Sequence, residues 1–160
     1  PVDCNARYDA ATDPYRGLYR KGFIATSSVI VRRDAVLDAG GFDETLATAQ
    51  DFDLWLNILK KEDVNFRVEP DVMLNYFITP GSITSYTSRR LDCSLRIAIK
   101  HAPNRSDLCY RIFNVHYEAI CSALAKGRPI KALSYFIKLP FQLFRMTHEY
   151  TKTKKRITGH

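Results

Sequence analysis

Hydrophobic positions along this chain fall into short β-branched runs and longer stretches of helical period, separated by polar and glycine-marked segments. In GFIATSSVIVRR, a short β-branched apolar run at 29–31 predicts a buried strand. RDAVLDAGG then predicts a short helix, with Asp34 near its start and Gly40 free to take the left-handed position at its end. Phe42 is placed to pack back on Val36 or Leu37. After the polar loop GFDETLATAQ, a helix is expected over 51–61. Its Phe52, Trp55, Leu56 and Leu59 fall at i, i+3, i+4 and i+7. Two short strands are expected at 66–68 and 72–77, split by Glu69-Pro70-Asp71, and TPGSIT marks a turn.

From there the period is helical. Leu91, Leu95, Ala98 and Ala102 line one helix. Leu108, Ile112, Val115, Ala119 and Ala123 line a second, ending near Gly127. A third is expected over 129–150, with Pro129 suited to its first turn and Pro140 expected to kink or break it. This last helix packs Tyr135, Phe136, Ile137, Leu139, Phe141, Leu143, Phe144 and Met146 together, bordered by Lys131, Lys138, Arg145 and the cluster KTKKR. Apolar residues flanked by cations suit a helix lying in a membrane interface. They equally suit packing on a further domain or partner.

Composition sharpens this picture in two ways. At 160 residues, 46% hydrophobic and 26% charged, the chain can bury a core and is not a disordered tail. Its net charge of +7 is uneven. Residues 1–99 carry 12 basic and 14 acidic side chains, whereas 100–160 carry 12 basic and 3 acidic, so the basic character belongs to the C-terminal third. That bias fits an anionic membrane surface or simply a solvated basic tail. Nucleic acid is not expected, because no recognisable reader motif accompanies the charge. Cys4, Cys93, Cys109 and Cys121 form no CxxC pair, and no His stands at zinc-ligand spacing from two of them, so reduced thiols and a cytosolic compartment are expected. No apolar run reaches the roughly 18 residues of a membrane span, and no signal peptide is evident. The start on Pro1 and the polar, aperiodic first stretch suggest a piece of a longer protein.

The candidate chemistry lies in ATAQDFDLWLNILK. Asp51 and Asp53 stand where a polar loop becomes a helix. Taken alone, Asp51 reads as an N-cap and Asp53 as a first-turn carboxylate favoured by the helix dipole. Neighbouring motifs change that reading. The ordered series FIATSSVIVRRDAVLDAGGFDE, AQDFDLWL, VEPDVMLNYF and PGSIT resembles the family 2 glycosyltransferases over roughly residues 22–86. The resemblance implies an α/β fold: part of a GT-A-like domain over residues 1–87, followed by a helical extension over 88–160 with a basic amphipathic tail. It implies the second half of that catalytic domain, the nucleotide-binding half with its metal-binding Asp-x-Asp being unmatched here. Asp51-Phe52-Asp53 spells such a motif, but the polar ETLATAQ precedes it instead of an apolar strand, so it is not read as the metal site.

By position, Asp51 matches the family's catalytic base. Inverting transfer needs a carboxylate within hydrogen-bond reach of the attacking acceptor hydroxyl. The resemblance further implies substrate-side roles for Gln50, Asp53, Arg32, Arg33, Ser82 and Thr84, with no metal ligand assigned in this chain. Two positions depart from the family: Gln50 stands where Glu is common before the base, and Thr79 where a His often precedes the Pro-Gly-Ser turn. The other His residues, 101, 116, 148 and 160, all lie in the helical tail. The expected whole is an inverting glycosyltransferase, transferring a sugar from a nucleotide-sugar donor to a glycan or lipid-linked acceptor in cell-surface polysaccharide synthesis. It would use Mg²⁺ or Mn²⁺, with ligands mostly outside this chain, and sit in the cytoplasm, peripheral on the inner membrane face. The rival expectation is a non-catalytic module that docks to a membrane or partner protein through its basic helices.

Overall fold

The computed structural model describes residues 13–22, 24–61, 64, 67–69, 71 and 88–158. Among them every regular element is a helix, and none is a β-strand. This overturns the α/β, GT-A-like expectation. Val29 is extended, but among the described residues no strand pairs with 29–31, and Ile30 is fully exposed, where a buried strand was expected. Short apolar runs carry no period long enough to decide their structure; partners decide it. Arg67 and Val68 are likewise outside any strand, and Arg67 forms an exposed 2.7 Å ion pair with Glu69. The strand expected at 72–77, the turn carrying Thr79, Ser82 and Thr84, and Cys4 lie outside the described residues.

The chain divides into two compact units, 1–85 and 86–160. In the first, α1 (Pro14–Lys21) packs on α3 (Gln50–Leu59), and α2 (Arg33–Asp38) also touches α3. Helix α1 was hidden in sequence by its polar composition. Its ends are nonetheless marked: Asp13 caps it by accepting from the Tyr15 backbone N–H at 2.9 Å, Pro14 occupies the first turn, and Gly22 closes it in the left-handed region at φ 59°. Leu18 and Tyr19 are its buried residues. Helix α3 buries more than one stripe: Asp53, Leu54, Trp55, Leu56 and Ile58 are all buried, while Phe52 and Leu59 are half-buried. Phe42 and Leu37 remain exposed, so the expected packing of Phe42 is not tight.

The second unit holds α4 (Ser88–His101), α5 (Arg105–Ala125) and α6 (Pro129–Thr158), with α5 packed against both neighbours. Its core joins Leu91, Leu95 and Ala98 of α4, Leu108, Ile112, Val115, Ala119 and Ala123 of α5, and Ala132, Tyr135 and Met146 of α6. Asn104 caps α5 through the Asp107 backbone N–H at 2.9 Å, and its amide returns a 2.7 Å bond to the Asp107 carboxylate. Gly127, at φ 65°, ends the α5 turn. Helix α6 runs through Pro140 without a break and on past Tyr150. Proline removes one amide hydrogen bond from the ladder, and the packed Leu139, Leu143 and Met146 flanking it hold the helix on α5. His116 is fully buried, its Nδ1 2.9 Å from the Ile112 carbonyl.

Candidate functional site

The carboxylate of Asp51 meets the hydroxyl of Thr26, twenty-five positions earlier in the chain. Thr26 opens a 3-10 turn, Thr26–Ser28, which Ser28 closes through both its backbone N–H and its hydroxyl on the Ala25 carbonyl. The Thr26 hydroxyl donates to Asp51 Oδ2, while Asp51 Oδ1 accepts from the Phe52 backbone N–H at 2.8 Å. Asp51 is half-buried and Thr26 exposed, so the pair stands at the surface of its unit.

The backbone that presents Asp51 is unusual. The helix is preceded by Ala49 at φ 61°, the left-handed region, and Ala49 is the only non-glycine there among the described residues. This conformation costs an L-residue with a Cβ roughly 1–2 kcal/mol. Ala49, not Asp51, is the residue before the first turn, and it offers no side-chain cap. Asp51 is therefore one step inside the helix, which corrects the N-cap reading. Gln50 spends its amide on the Leu46 carbonyl at 2.7 Å, tying the incoming loop to the helix start. The neutral side chain is thus a staple for the loop that aims Asp51.

Other expected residues fall elsewhere. Asp53 is fully buried and accepts from Asn57 Nδ2 at 3.3 Å, so its side chain does not share the surface of Asp51. Trp55 is buried, as its helical position predicted. Arg32 forms an exposed pair with Asp34, which raises the guanidinium and holds the Asp34 carboxyl below the usual aspartate range. Arg33 is the first residue of α2, with an exposed side chain. The structure therefore brings Thr26, Gln50 and Asp51 together around one junction, while Arg32 is engaged with Asp34. Thr26 was not singled out from sequence; its one signal was its place in the small-residue TSS segment that precedes the apolar run.

Among the described residues, no group of three or more His, Cys, Asp or Glu side chains converges as a cation site. A surface depression of the first unit lies away from Asp51. It is lined by Asp13, Tyr15, Leu59, Lys60, Lys61 and Val64, at the opposite end of α3, about 13–15 Å along the helix axis. No step at Asp51 is routed through a metal. No helix among the described residues is long and apolar enough to cross a membrane. No family model, curated protein or solved structure matches the chain.

Proposed function

We propose that this chain carries the general base and acceptor side of an inverting glycosyltransferase, with Asp51 as the base. The observation that supports this reading is the Thr26–Asp51 hydrogen bond. A hydroxyl donating to a carboxylate oxygen is the arrangement that an acceptor hydroxyl must adopt before attack. Thr26 is exposed and Asp51 half-buried, so an incoming sugar hydroxyl can replace Thr26 at Oδ2. In the step, the acceptor oxygen bonds to the anomeric carbon as its proton passes to Asp51. The bond from that carbon to the leaving diphosphate breaks, and its electron pair departs with the nucleoside diphosphate. The left-handed Ala49 and the Gln50–Leu46 bond fix the angle at which Asp51 leaves the loop. Backbone strain of this kind is concentrated at functional sites. The reading rests on this junction and on the ordered motifs around it.

The donor is a nucleotide-sugar, the acceptor a glycan or lipid-linked sugar, and any Mg²⁺ or Mn²⁺ would be held by residues beyond those described. The test is product stereochemistry. The complete enzyme, supplied with nucleotide-sugar and glycan acceptor, should give a product inverted at the anomeric carbon by NMR. A retained configuration would overturn a single-base displacement.

A second reading, favoured by the exposed apolar side chains of α6, makes the helical unit a docking module that holds the protein at the inner face of a membrane or on a partner protein.

A further inference from the structure

Helix α6 has two apolar sides. One is spent on the core: Ala132, Tyr135, Leu139, Leu143 and Met146 face α5. The other faces solvent. Ile130, Leu133, Ile137, Phe141 and Phe144 are 54–85% exposed. At about 100° per residue they fall within an arc of about 80°, centred opposite the core face. The row is about 20 Å long. A contiguous exposed apolar row of this kind marks an interaction surface.

Beside it runs a row of cations. Lys131, Lys138, Arg145 and Lys152 follow one another at intervals of seven residues, each directly after a stripe-side position at 130, 137, 144 and 151. Lys138, Arg145 and Lys152 are exposed and Lys131 half-buried. Lys154, Lys155 and Arg156 add charge at the end of the helix, and Glu149 is its one acidic residue. A repeat of seven drifts by only about 20° per interval, so the cations keep to one flank along the whole stripe.

We infer that α6 docks lengthwise on an anionic lipid bilayer, with Phe141, Phe144 and Ile137 entering the acyl boundary and the Lys131–Lys152 row at the headgroups. The inference rests on the docking reading of the helical unit and is independent of the chemistry at Asp51. Charge decides the occupant. A second copy seated on the same stripe would bring one cationic row against another, which opposes association. An anionic surface gains from every cation in the row. The helix is too polar to cross the bilayer, and its apolar stripe with a cationic border has the form of a helix that lies in the interface.

Co-sedimentation of the full chain with vesicles tests this. Binding is expected to vesicles of phosphatidylglycerol and phosphatidylcholine in equal parts, and to weaken in high salt. The double variant Phe141→Ser/Phe144→Ser should lower the partition coefficient by at least about tenfold. Replacing Lys131, Lys138, Arg145 and Lys152 by Gln should lower it by on the order of a thousandfold on anionic vesicles only. Phe141, Phe144, Lys138, Arg145 and Lys152 are exposed and Lys131 is half-buried, and unchanged helical circular dichroism would show that the fold survives. Three outcomes overturn the inference: no binding to anionic vesicles, equal binding to pure phosphatidylcholine, or self-association through the same side chains without vesicle binding. None of them bears on turnover at Asp51.

Discussion

Ile112 is fully buried at the centre of α5, within a core built from α4, α5 and α6. Truncating it to Ala removes three side-chain carbons from that core, at about 0.8 kcal/mol each in lost transfer free energy. Relaxation around the site is only partial, and the residual cavity raises the cost to about 3–4 kcal/mol, within the usual range for such a change. The effect should be confined to the helical unit, so global melting is the wrong readout. Native-state hydrogen exchange is the better one, because amide protection in α5 and α6 reports the opening free energy of that unit. Protection there should fall by a factor of on the order of a hundred or more, while α3 keeps its own. Phe113→Ala, one position along the same helix and exposed, is the control and should leave α5 protection nearly unchanged. If Ile112→Ala and Phe113→Ala behave alike, the three helices do not share the core described here.

Two further perturbations bear on the first unit. Ala49→Gly removes the left-handed penalty but loosens the unfolded chain, so stability should rise by roughly 0–1 kcal/mol, whereas Ala49→Val should lower it; denaturant unfolding decides, and a clear loss with Gly would show that Ala49 is not left-handed. Arg32 holds the Asp34 carboxyl below the ordinary aspartate range, so this pair contributes at neutral pH and is lost as pH falls through the depressed folded value. Both groups are exposed, so the effect should be small and screened by salt. An NMR titration of Asp34 should show a midpoint below that of a free aspartate, rising in Arg32→Gln; an ordinary midpoint would refute the pair.

The helical half of the chain was largely legible because its signals agree with one another. The α5 period at 108, 112, 115, 119 and 123 coincides with a cap at Asn104 and a glycine at 127, so pattern, start and stop point the same way. Pro140 does not break α6, because a proline removes one hydrogen bond and the packed contacts on either side of it outweigh that loss. Helix α1 went unread because only Leu18 and Tyr19 are its buried residues and eight residues give no usable period. The run at 29–31 misled for the opposite reason: three β-branched residues look like a buried strand, yet among the described residues no strand pairs with them and Ile30 lies in solvent.

At the site, Asp51 could be chosen from its place in an ordered set of motifs, but its environment could not. The Thr26 contact joins segments twenty-five positions apart, and no local pattern encodes it. The left-handed Ala49 runs against residue preference, since such positions favour Gly or Asn. Asp53 shows the limit of reading spacing alone. Two positions from Asp51 in sequence, it lies about 200° around the helix and is fully buried.

The most direct test of the catalytic account is the turnover of Asp51→Asn in the complete enzyme, measured as nucleoside diphosphate released in the presence of donor and acceptor. Asn keeps the size of the side chain but cannot take a proton. With Asp51 as general base, kcat should fall by roughly 10²–10⁴-fold, while the affinity for donor stays close to that of the wild type. Undiminished kcat in Asp51→Asn would contradict the account.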